Sequence, residues 1–399
     1  MAAAPIARHR ILRLGPALVC VTRYTLGPVS ASTTANALTV AYDASPLLGP
    51  LTGVGMAVHH MAATLSARDD VVLKRYACSF RATLHDDMAR LPLPAAVAQR
   101  LWGAVPLPRV DRWLRPAQLI HGTNYTVPPS RLARIVTVYD CWFLRHPEQA
   151  GGDVGRAGKV LRRAVQSGAV VHAPSHATAE AVRELLGAER VEVIPLSALP
   201  APQNIDAPAP VAELEGVPFV LALGTLERRK NLPRLVAAFG LLAASHPSLR
   251  LVIAGSDGDD RGAVDTAIDA LANVARDRVM LTGRITTEAK QWLLGAATVL
   301  AYPSLDEGFG FPLLEAMQAG VPVVASTAGS IPEVAGDAAR LVAPDDVDAL
   351  AGALHAVIDD ESLRSSLIAA GTERLEHFSW DATAESLANL YHRTVREGT

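Results

Sequence analysis

Short apolar runs that end at glycine, proline or charged residues recur along the chain, and segments of helical spacing separate several of them. Such runs predict buried β-strands, here at 38–42, 71–76, 119–121, 135–139, 170–173, 191–194, 218–223, 251–254, 279–281, 298–302, 323–324 and 339–342. Apolar spacing and stop residues predict helices at 56–65 and 177–186, among others. The alternation predicts an α/β fold with mainly parallel sheets.

The stretch 302–325 organises the second half of the chain. A strand is expected to end at Pro303, and the loop that follows contains Glu307, Gly308 and Gly310. Pro312 occupies the expected first position of a helix, whose positive N-terminal end would face this loop. Such a position suits a phosphate or an array of hydroxyl groups.

Two carboxylates lie eight residues apart in this stretch, Glu307 in the loop and Glu315 on the predicted first helical turn. Carboxylates accept hydrogen bonds from hydroxyl groups, so sugar and ribose hydroxyls are the expected partners. Taken singly, each glutamate also fits a solvated or helix-capping acid. The combination of two carboxylates around Gly-Phe-Gly-Phe-Pro is what makes the stretch specific.

The segment Glu307-Gly-Phe-Gly-Phe-Pro-Leu-Leu-Glu315 resembles the two-glutamate motif of the retaining glycosyltransferases called GT4, which have the GT-B architecture. The resemblance extends over roughly residues 38–396. It implies two Rossmann-like domains facing across a cleft, with a C-terminal helix that crosses back to the first domain. A nucleotide sugar would be the donor.

The predicted organisation has five parts. Residues 1–37 form an N-terminal extension, 38–200 an acceptor domain, 201–216 a proline-containing linker, 217–377 a nucleotide-sugar domain and 378–399 the returning helix. Each of the two larger parts has the length of an ordinary domain.

Arg229 and Lys230 stand between a predicted strand end and a helix start. Two adjacent cations there can neutralise a pyrophosphate and the charge that grows as it leaves; a solvated basic loop is the alternative. The resemblance implies that Glu315 holds the ribose and that Glu307 and the 308–311 backbone hold the sugar. The remaining expected donor-binding residues are Gly53, Gly55, Gly224, Thr225, Arg284, Ile285, Phe309, Phe311 and Leu314.

The carboxyl ends of the first-half strands present His121 and the pair Tyr139-Asp140. Many members of the family have histidine where Tyr139 stands, and there it touches the donor sugar. Tyrosine can donate a hydrogen bond but does not become a cation near neutral pH. His121 is therefore a second candidate for this contact, and the predicted catalytic residues are Tyr139, Asp140, His121, Arg229, Lys230 and Glu307.

Composition narrows the partners. The chain has 399 residues, of which 50% are apolar and 19% charged, and its net charge of -3 gives no overall attraction to nucleic acid. Three scattered cysteines (Cys20, Cys78 and Cys141) predict reduced thiols and a cytoplasmic protein. Export by an N-terminal signal is the alternative, since basic residues precede a short apolar run.

The segment 88–115 mixes arginine with tryptophan and leucine, a composition that suits the surface of an anionic membrane. Four prolines interrupt it, so a helix packed on the domain is the competing interpretation. Membrane association on the inner face thus enters as an expectation, while the oligomeric state is left open.

The string Gly224-Thr-Leu-Glu-Arg-Arg-Lys-Asn231 resembles bacterial mannosyltransferases of the same family. It implies GDP-mannose as donor, with UDP-sugars as the other option and a saccharide or glycolipid hydroxyl as acceptor. No metal or other cofactor is expected, because cations replace it, and Asp257 and Asp259 fit an ordinary turn. The alternatives are a nucleotide-sugar epimerase or hydrolase, and a non-catalytic nucleotide-sugar-binding partner.

Overall fold

The computed structural model describes residues 37–49, 52–79, 83–84, 88–200 and 212–398. All but the last residue of the predicted extension 1–37, and residues 201–211 of the predicted linker, lie outside this description, as does Cys20. Cys78 and Cys141 are both free thiols.

The first domain alternates strands and helices. Its elements are β1 (Leu38–Asp43), α1 (Gly53–Ser66), β2 (Val71–Ala77), β3 (Ala89–Arg90), α2 (Ala95–Ala104), β4 (Leu119–Gly122), β5 (Ala133–Thr137), α3 (Trp142–Arg145), α4 (Gly152–Gln166), β6 (Val170–Ala173), α5 (His176–Leu186) and β7 (Val191–Val193).

The second domain repeats this alternation and ends in three helices. Its elements are β8 (Phe219–Leu223), α6 (Leu232–Leu242), β9 (Arg250–Ala254), α7 (Arg261–Asp269), α8 (Asn273–Arg276), β10 (Val279–Gly283), α9 (Thr287–Ala296), β11 (Val299–Tyr302), α10 (Phe311–Gln318), β12 (Val323–Ser326), α11 (Ile331–Ala335), β13 (Ala339–Val342), α12 (Val347–Asp359), α13 (Glu361–Leu375) and α14 (Trp380–Gly398).

Each domain is built on one parallel sheet. The strand order is β3-β2-β1-β4-β5-β6-β7 in the first sheet and β10-β9-β8-β11-β12-β13 in the second. The chain order reverses between β1 and β4 and again between β8 and β11. In open α/β sheets the crevice at such a reversal, at the carboxyl ends of the strands, is where ligands bind.

The inner strands are buried on both faces because helices cover both sides of each sheet. All residues of β8, β11 and β12 are buried, as are those of β4 and β6. This explains why these strands are continuous apolar runs in the sequence. Among the described residues, no helix combines the length and apolarity needed to cross a membrane.

Helix α1 begins three residues earlier than its spacing predicts. The Thr52 hydroxyl accepts a hydrogen bond from the Gly55 amide at 3.2 Å, so it caps the helix and places Gly53 and Gly55 in the first turn. Gly53 and Gly55, both expected to bind the donor, therefore belong to a helix N-terminus. Helix α5 is capped by Ser175, and it ends at the left-handed Gly187, next to the predicted last residue 186.

The last helix returns to the first domain. The Trp380 Nε1–H donates to the Ala198 carbonyl at 2.9 Å, and Arg393 pairs with Glu192 at 2.8 Å. At the centre of α14, the Tyr391 hydroxyl lies 2.7 Å from Nδ1 of His121 in β4. Helix α14, which follows the second domain in the sequence, thus packs on the first domain.

Candidate active site

A cluster of two cations and a carboxylate occupies the reversal point of the second sheet. Arg229 and Lys230 lie in a 3-10 turn after β8, and Glu307 follows β11, the neighbouring strand. Glu307 Oε2 lies 2.8 Å from Arg229 Nη1, and its Oε1 lies 2.6 Å from Lys230 Nζ. Parallel pairing of β8 with β11 therefore joins residues almost eighty positions apart.

Neighbouring side chains hold this cluster in place. Ser304 donates to Glu307 Oε1 at 2.7 Å, Tyr302 accepts from Lys230 at 3.2 Å, and Glu227 accepts from Arg229 Nε at 2.8 Å. The sequence interpretation missed these three residues. Ser304 and Tyr302 could have been found from their place at the carboxyl end of a predicted strand.

Electrostatics keep Glu307 and Arg229 ionised. Burial alone would raise the pKa of Glu307, but the charges of Lys230 and Arg229 outweigh it and lower that pKa to about 2. Burial lowers the pKa of Lys230 against the opposing effect of Glu307. For Arg229, the neighbouring carboxylates overcome burial and raise the pKa further. Glu307 is thus an anion near neutral pH and accepts, rather than donates, hydrogen bonds.

Gly224 lets the Lys230 side chain pass close to the end of β8. Its φ of +137° favours glycine, and a Cβ there would meet Lys230 Cε at 3.1 Å. Thr225, the next residue, is half-buried. Of these two expected donor-binding residues, Gly224 lies beside Lys230, and Thr225 follows it in the chain.

The second glutamate of the motif has its own cation. Glu315 is buried, and its Oε1 lies 2.6 Å from Nζ of Lys290 in α9. It is the fifth residue of α10, so it stands in the second turn and not in the first as expected. Lys290 was missed because an isolated lysine on a short helix has no motif around it. Of the nearby expected residues, Arg284 is exposed and Ile285 is half-buried.

The loop before α10 turns its aromatic residues inward. Phe309 is buried and packs edge-to-face on Phe311 and on Phe378. Leu314 is fully buried as well. Neither Phe309 nor Leu314 therefore offers its side chain to a donor, and the expectation that they bind the donor is reduced to contacts of their backbone. Gly310, with φ of +97°, starts the helix and aims its N-terminal amides at the loop.

The two domains touch at Gly308. A methyl group at this residue would overlap the Tyr139 carbonyl oxygen of the first domain. The Gly308 carbonyl accepts hydrogen bonds from Ser175 at 2.7 Å and Thr178 at 3.1 Å. Glu333 of the second domain accepts from two amides at the start of α5. These contacts close the cleft beside the cluster.

Tyr139 and Asp140 lie past the end of β5, facing the second domain. The Tyr139 hydroxyl is buried and has no hydrogen-bond partner among the described residues. Asp140 accepts from the Tyr125 hydroxyl at 3.0 Å and from the Trp142 amide at 3.1 Å. Asp140 also lines a cavity of about 190 Å³ between the domains, together with Glu307.

His121 has a structural position. It is fully buried, with Nδ1 bonded to Tyr391 and Nε2 lying 2.8 Å from Thr137 Oγ1. Burial, and next the neighbouring His172, lower its pKa well below the ordinary value. Since both ring nitrogens are occupied away from solvent, the structure corrects the expectation that His121 contacts the donor sugar.

The β1–α1 connection reaches the motif from the first domain. A Cβ on Gly53 would lie 3.9 Å from the Phe311 ring. Gly53, Tyr139 and Asp140 therefore approach the 307–311 loop from one side of the cleft, while Arg229 and Lys230 approach it from the other. The structure brings these residues together around a single crevice.

Two parallel-sheet Rossmann-like domains, with a charged cluster at the reversal point of the second and a C-terminal helix packed on the first, define the GT-B architecture. Residues 205–374 match the family model described as glycosyl transferases group 1. The chain belongs to this family.

Similar proteins agree with this assignment. Over 297 residues the chain is 30% identical to O-antigen chain mannosyltransferase B of Escherichia coli, covering 71% of this chain and 77% of that protein. It is 33% identical over 188 residues to a GDP-mannose-dependent monoacylated alpha-(1-6)-phosphatidylinositol monomannoside mannosyltransferase of Corynebacterium glutamicum, covering 45% and 48%. The sucrose-phosphate synthase structure from Thermosynechococcus elongatus shares the fold, with a TM-score of 0.67, 21% identity, and coverage of 90% and 100%.

Proposed function

We propose that this glycosyltransferase moves a mannosyl group from GDP-mannose to a hydroxyl of a saccharide or glycolipid, with retention of the anomeric configuration. The observation that carries the proposal is the buried cluster of Arg229, Lys230 and Glu307 at the carboxyl ends of β8 and β11. Mannose is supported by the names of the two similar enzymes, and GDP by the name of one of them. The string 224–231 supports the same subgroup.

The cluster suits a diphosphate beside a sugar. The guanidinium group of Arg229 and the ammonium group of Lys230 together carry eight N–H donors. Glu227, Glu307 and Tyr302 accept hydrogen bonds from only part of that set. The remaining donors can bind phosphate oxygens with charge-assisted hydrogen bonds. Glu307 can accept from sugar hydroxyls, and Glu315 from the ribose.

The transfer step follows from these positions. The bond from the anomeric carbon to the phosphate oxygen breaks, and its electron pair stays on the leaving diphosphate. The acceptor oxygen bonds to the anomeric carbon on the same face, and its proton passes to the leaving phosphate oxygen. Arg229 and Lys230 stabilise the charge that develops on the diphosphate. The contact at Gly308 helps to exclude water and to hold the acceptor domain in place.

We further propose that the reaction needs no metal ion. Two cations already face the diphosphate position, and they supply the charge that a divalent ion supplies elsewhere. Turnover should therefore persist in excess EDTA. Loss of turnover that only Mg²⁺ or Mn²⁺ restores would contradict this part of the proposal.

Helix α2 supports contact with a lipid surface during transfer to a glycolipid. It packs on α4 through its buried Ala98 and Trp102, as the packed-helix interpretation predicts. Four apolar side chains nevertheless stay more than a third exposed beside arginines 100 and 109, namely Val97, Leu101, Val105 and Leu107. Exposed apolar groups with cations suit an anionic membrane. We expect the protein to float with anionic vesicles but not with neutral ones. No flotation with either kind would exclude this lipid contact.

The decisive experiment compares donors with and without acceptor. GDP-mannose, GDP-glucose, UDP-glucose and UDP-galactose are tested first by thermal shift, because a ligand of the native state raises the melting temperature. Each is then incubated with mannose-terminated oligosaccharides. We expect the largest shift and a retained α-linked product with GDP-mannose. Rapid release of free sugar without acceptor would identify a hydrolase, and tight binding without any turnover a sensor.

A further inference from the structure

A second cavity, of about 200 Å³, opens at the reversal point of the first sheet, between the carboxyl ends of β1 and β4. It is separate from the cavity between the domains. At roughly 10–15 Å³ per enclosed water by this measure, it has room for a dozen or more waters, and hence for a hexose ring. The described lining residues that matter are Asp43, Ser45, Tyr76, Gln99, Trp102 and Asn124.

Three polar groups of this lining lack hydrogen-bond partners among the described residues. They are the Tyr76 hydroxyl, the Trp102 Nε1–H and the Asn124 Oδ1. Tyr76 is 2% exposed and Trp102 is 5% exposed, so neither side chain is solvated by bulk water. Native proteins pair nearly all such groups, so three of them from three different elements around one cavity are available to bind a molecule that enters it.

The charge of the wall narrows the chemistry of that partner. None of the described lining residues is lysine or arginine, and Asp43 contributes a carboxylate. Burial raises the pKa of Asp43 to about 6, against hydrogen bonds from Ser45 that lower it. Among the described lining residues, a phosphate would meet an acid and no cation, which is unfavourable. A ring of hydroxyls could accept from the indole N–H and donate to the carboxylate and the amide oxygen.

Two connections join this cavity to the donor site. The segment after Asp43 leads into α1, where Gly53 lies beside Phe311 of the motif. On the other side, Asn124 is followed by Tyr125, whose hydroxyl donates to Asp140 in the wall of the interdomain cavity. A ligand held here would therefore lie in the opposite domain from the proposed donor site, one residue along the chain from the Tyr125–Asp140 contact.

We propose that this cavity binds the uncharged terminal sugar of the acceptor, with Tyr76, Trp102 and Asn124 setting its specificity. The inference rests on the proposed function, because it assumes a hydroxyl acceptor. It goes further by selecting among acceptors: the end of a neutral glycan is bound, and a phosphorylated sugar is excluded.

The test uses the full chain with GDP, and two probes that differ in charge, methyl α-mannoside and its 6-phosphate. Binding is followed by saturation-transfer NMR, which detects weak ligands. We expect the neutral probe to bind and the phosphate to bind at least tenfold more weakly. Tyr76→Phe and Trp102→Phe should each weaken the neutral probe about fivefold or more. Trp113→Phe, which alters an indole of the same segment that does not line the cavity, should leave it unchanged.

Stability separates a binding role from a structural one. Tyr76→Phe removes a buried hydroxyl that has no described partner, so its melting temperature should equal or exceed that of the wild type. Equal binding of both probes, no binding of the neutral probe, or full binding by both cavity variants would overturn the proposal. GDP-mannose affinity, measured on the same samples, reports on the proposed function independently and should be unchanged in every variant.

Discussion

Gly308 of the second domain lies directly against the peptide of Tyr139 in the first, with no room for a side chain between them. The same glycine offers its carbonyl to Ser175 and Thr178 across the interface. One residue of the two-glutamate motif thus also docks the first domain. In the proposed mechanism, domain closure and donor binding are therefore coupled at this point.

Gly308→Ala should disrupt that docking. Because the new methyl group would overlap a backbone carbonyl, the domains must separate or the loop must shift. We expect turnover to fall by at least tenfold, while the folded state survives and small-angle scattering shows a larger radius of gyration. Gly352→Ala is the matched control, since nothing lies near its Cβ and it stands on an exposed helical face; it should gain roughly 0.5–1 kcal/mol of stability. Wild-type turnover in both variants would contradict the coupling.

Arg229→Ala and Lys230→Ala should each cut turnover about 10²- to 10³-fold. The reason is the loss of a preorganised donor to the leaving diphosphate, of the kind worth about 2.7–4 kcal/mol. Steady-state kinetics with GDP-mannose and a saccharide acceptor provide the measurement. The adjacent and exposed Arg228, changed to Ala, should retain most of the activity. Near-native rates in the first two variants would remove these cations from the mechanism.

Tyr139→Phe separates stability from donor contact. Its hydroxyl is buried without a described partner, so removing it should leave the unfolding free energy unchanged or higher. We expect kcat/KM for the donor to fall roughly tenfold, a loss of about 1.4 kcal/mol, because the variant lacks the hydroxyl that would bond to the donor sugar. Tyr125→Phe, which removes a hydroxyl bonded to Asp140, should lower stability instead. Unchanged kinetics in Tyr139→Phe would show that this hydroxyl does not contact the donor.

His121→Leu should destabilise the protein without changing the donor KM. The substitution leaves the buried hydroxyls of Thr137 and Tyr391 without their shared partner, at roughly 1–3 kcal/mol each. Urea denaturation measures the loss. Tyr391→Phe removes only one of these contacts from the α14 side and should cost less. A variant of wild-type stability that had lost turnover would restore a catalytic role to His121.

His121 belongs to a series of hydrogen bonds that runs from the Ile194 carbonyl to Tyr391, and the direction of each bond can be assigned by starting at Ile194. The His172 Nε2 faces the Ile194 carbonyl at 2.9 Å, so it must donate. Its Nδ1 then accepts from Thr137, whose oxygen accepts from His121 Nε2, and His121 Nδ1 accepts from Tyr391. Both histidines are neutral in this arrangement, and a proton added to either Nδ1 would face another donor.

Acid should therefore weaken the fold. Burial lowers the folded-state pKa of His172 to about 4, against an unfolded value of 6.5, with the bond to Ile194 opposing. Between these values the unfolded chain binds more protons, so the contribution of His172 to stability is lost as pH falls from about 6.5 toward 4, by roughly 3 kcal/mol at most. Urea unfolding at pH 7.5 and pH 5 should show this loss. It should be smaller in His172→Gln and unchanged in the control His355→Gln, whose ring is exposed; equal loss in all three would refute the assignment.

The sequence by itself determined the alternation of strands and helices, the two parallel sheets and the motif residues at the second reversal point. Those features are local: apolar runs, the helix spacing at 177–186, and the spacing of Glu307 from Glu315 can all be read from consecutive residues. Only the tertiary structure decided which charged and polar groups pair with one another. It paired Glu307 with both cations, gave Glu315 its partner Lys290, and moved His121 into the core under Tyr391. Such pairings depend on which strands become neighbours and where the last helix packs, and no nearby sequence specifies that.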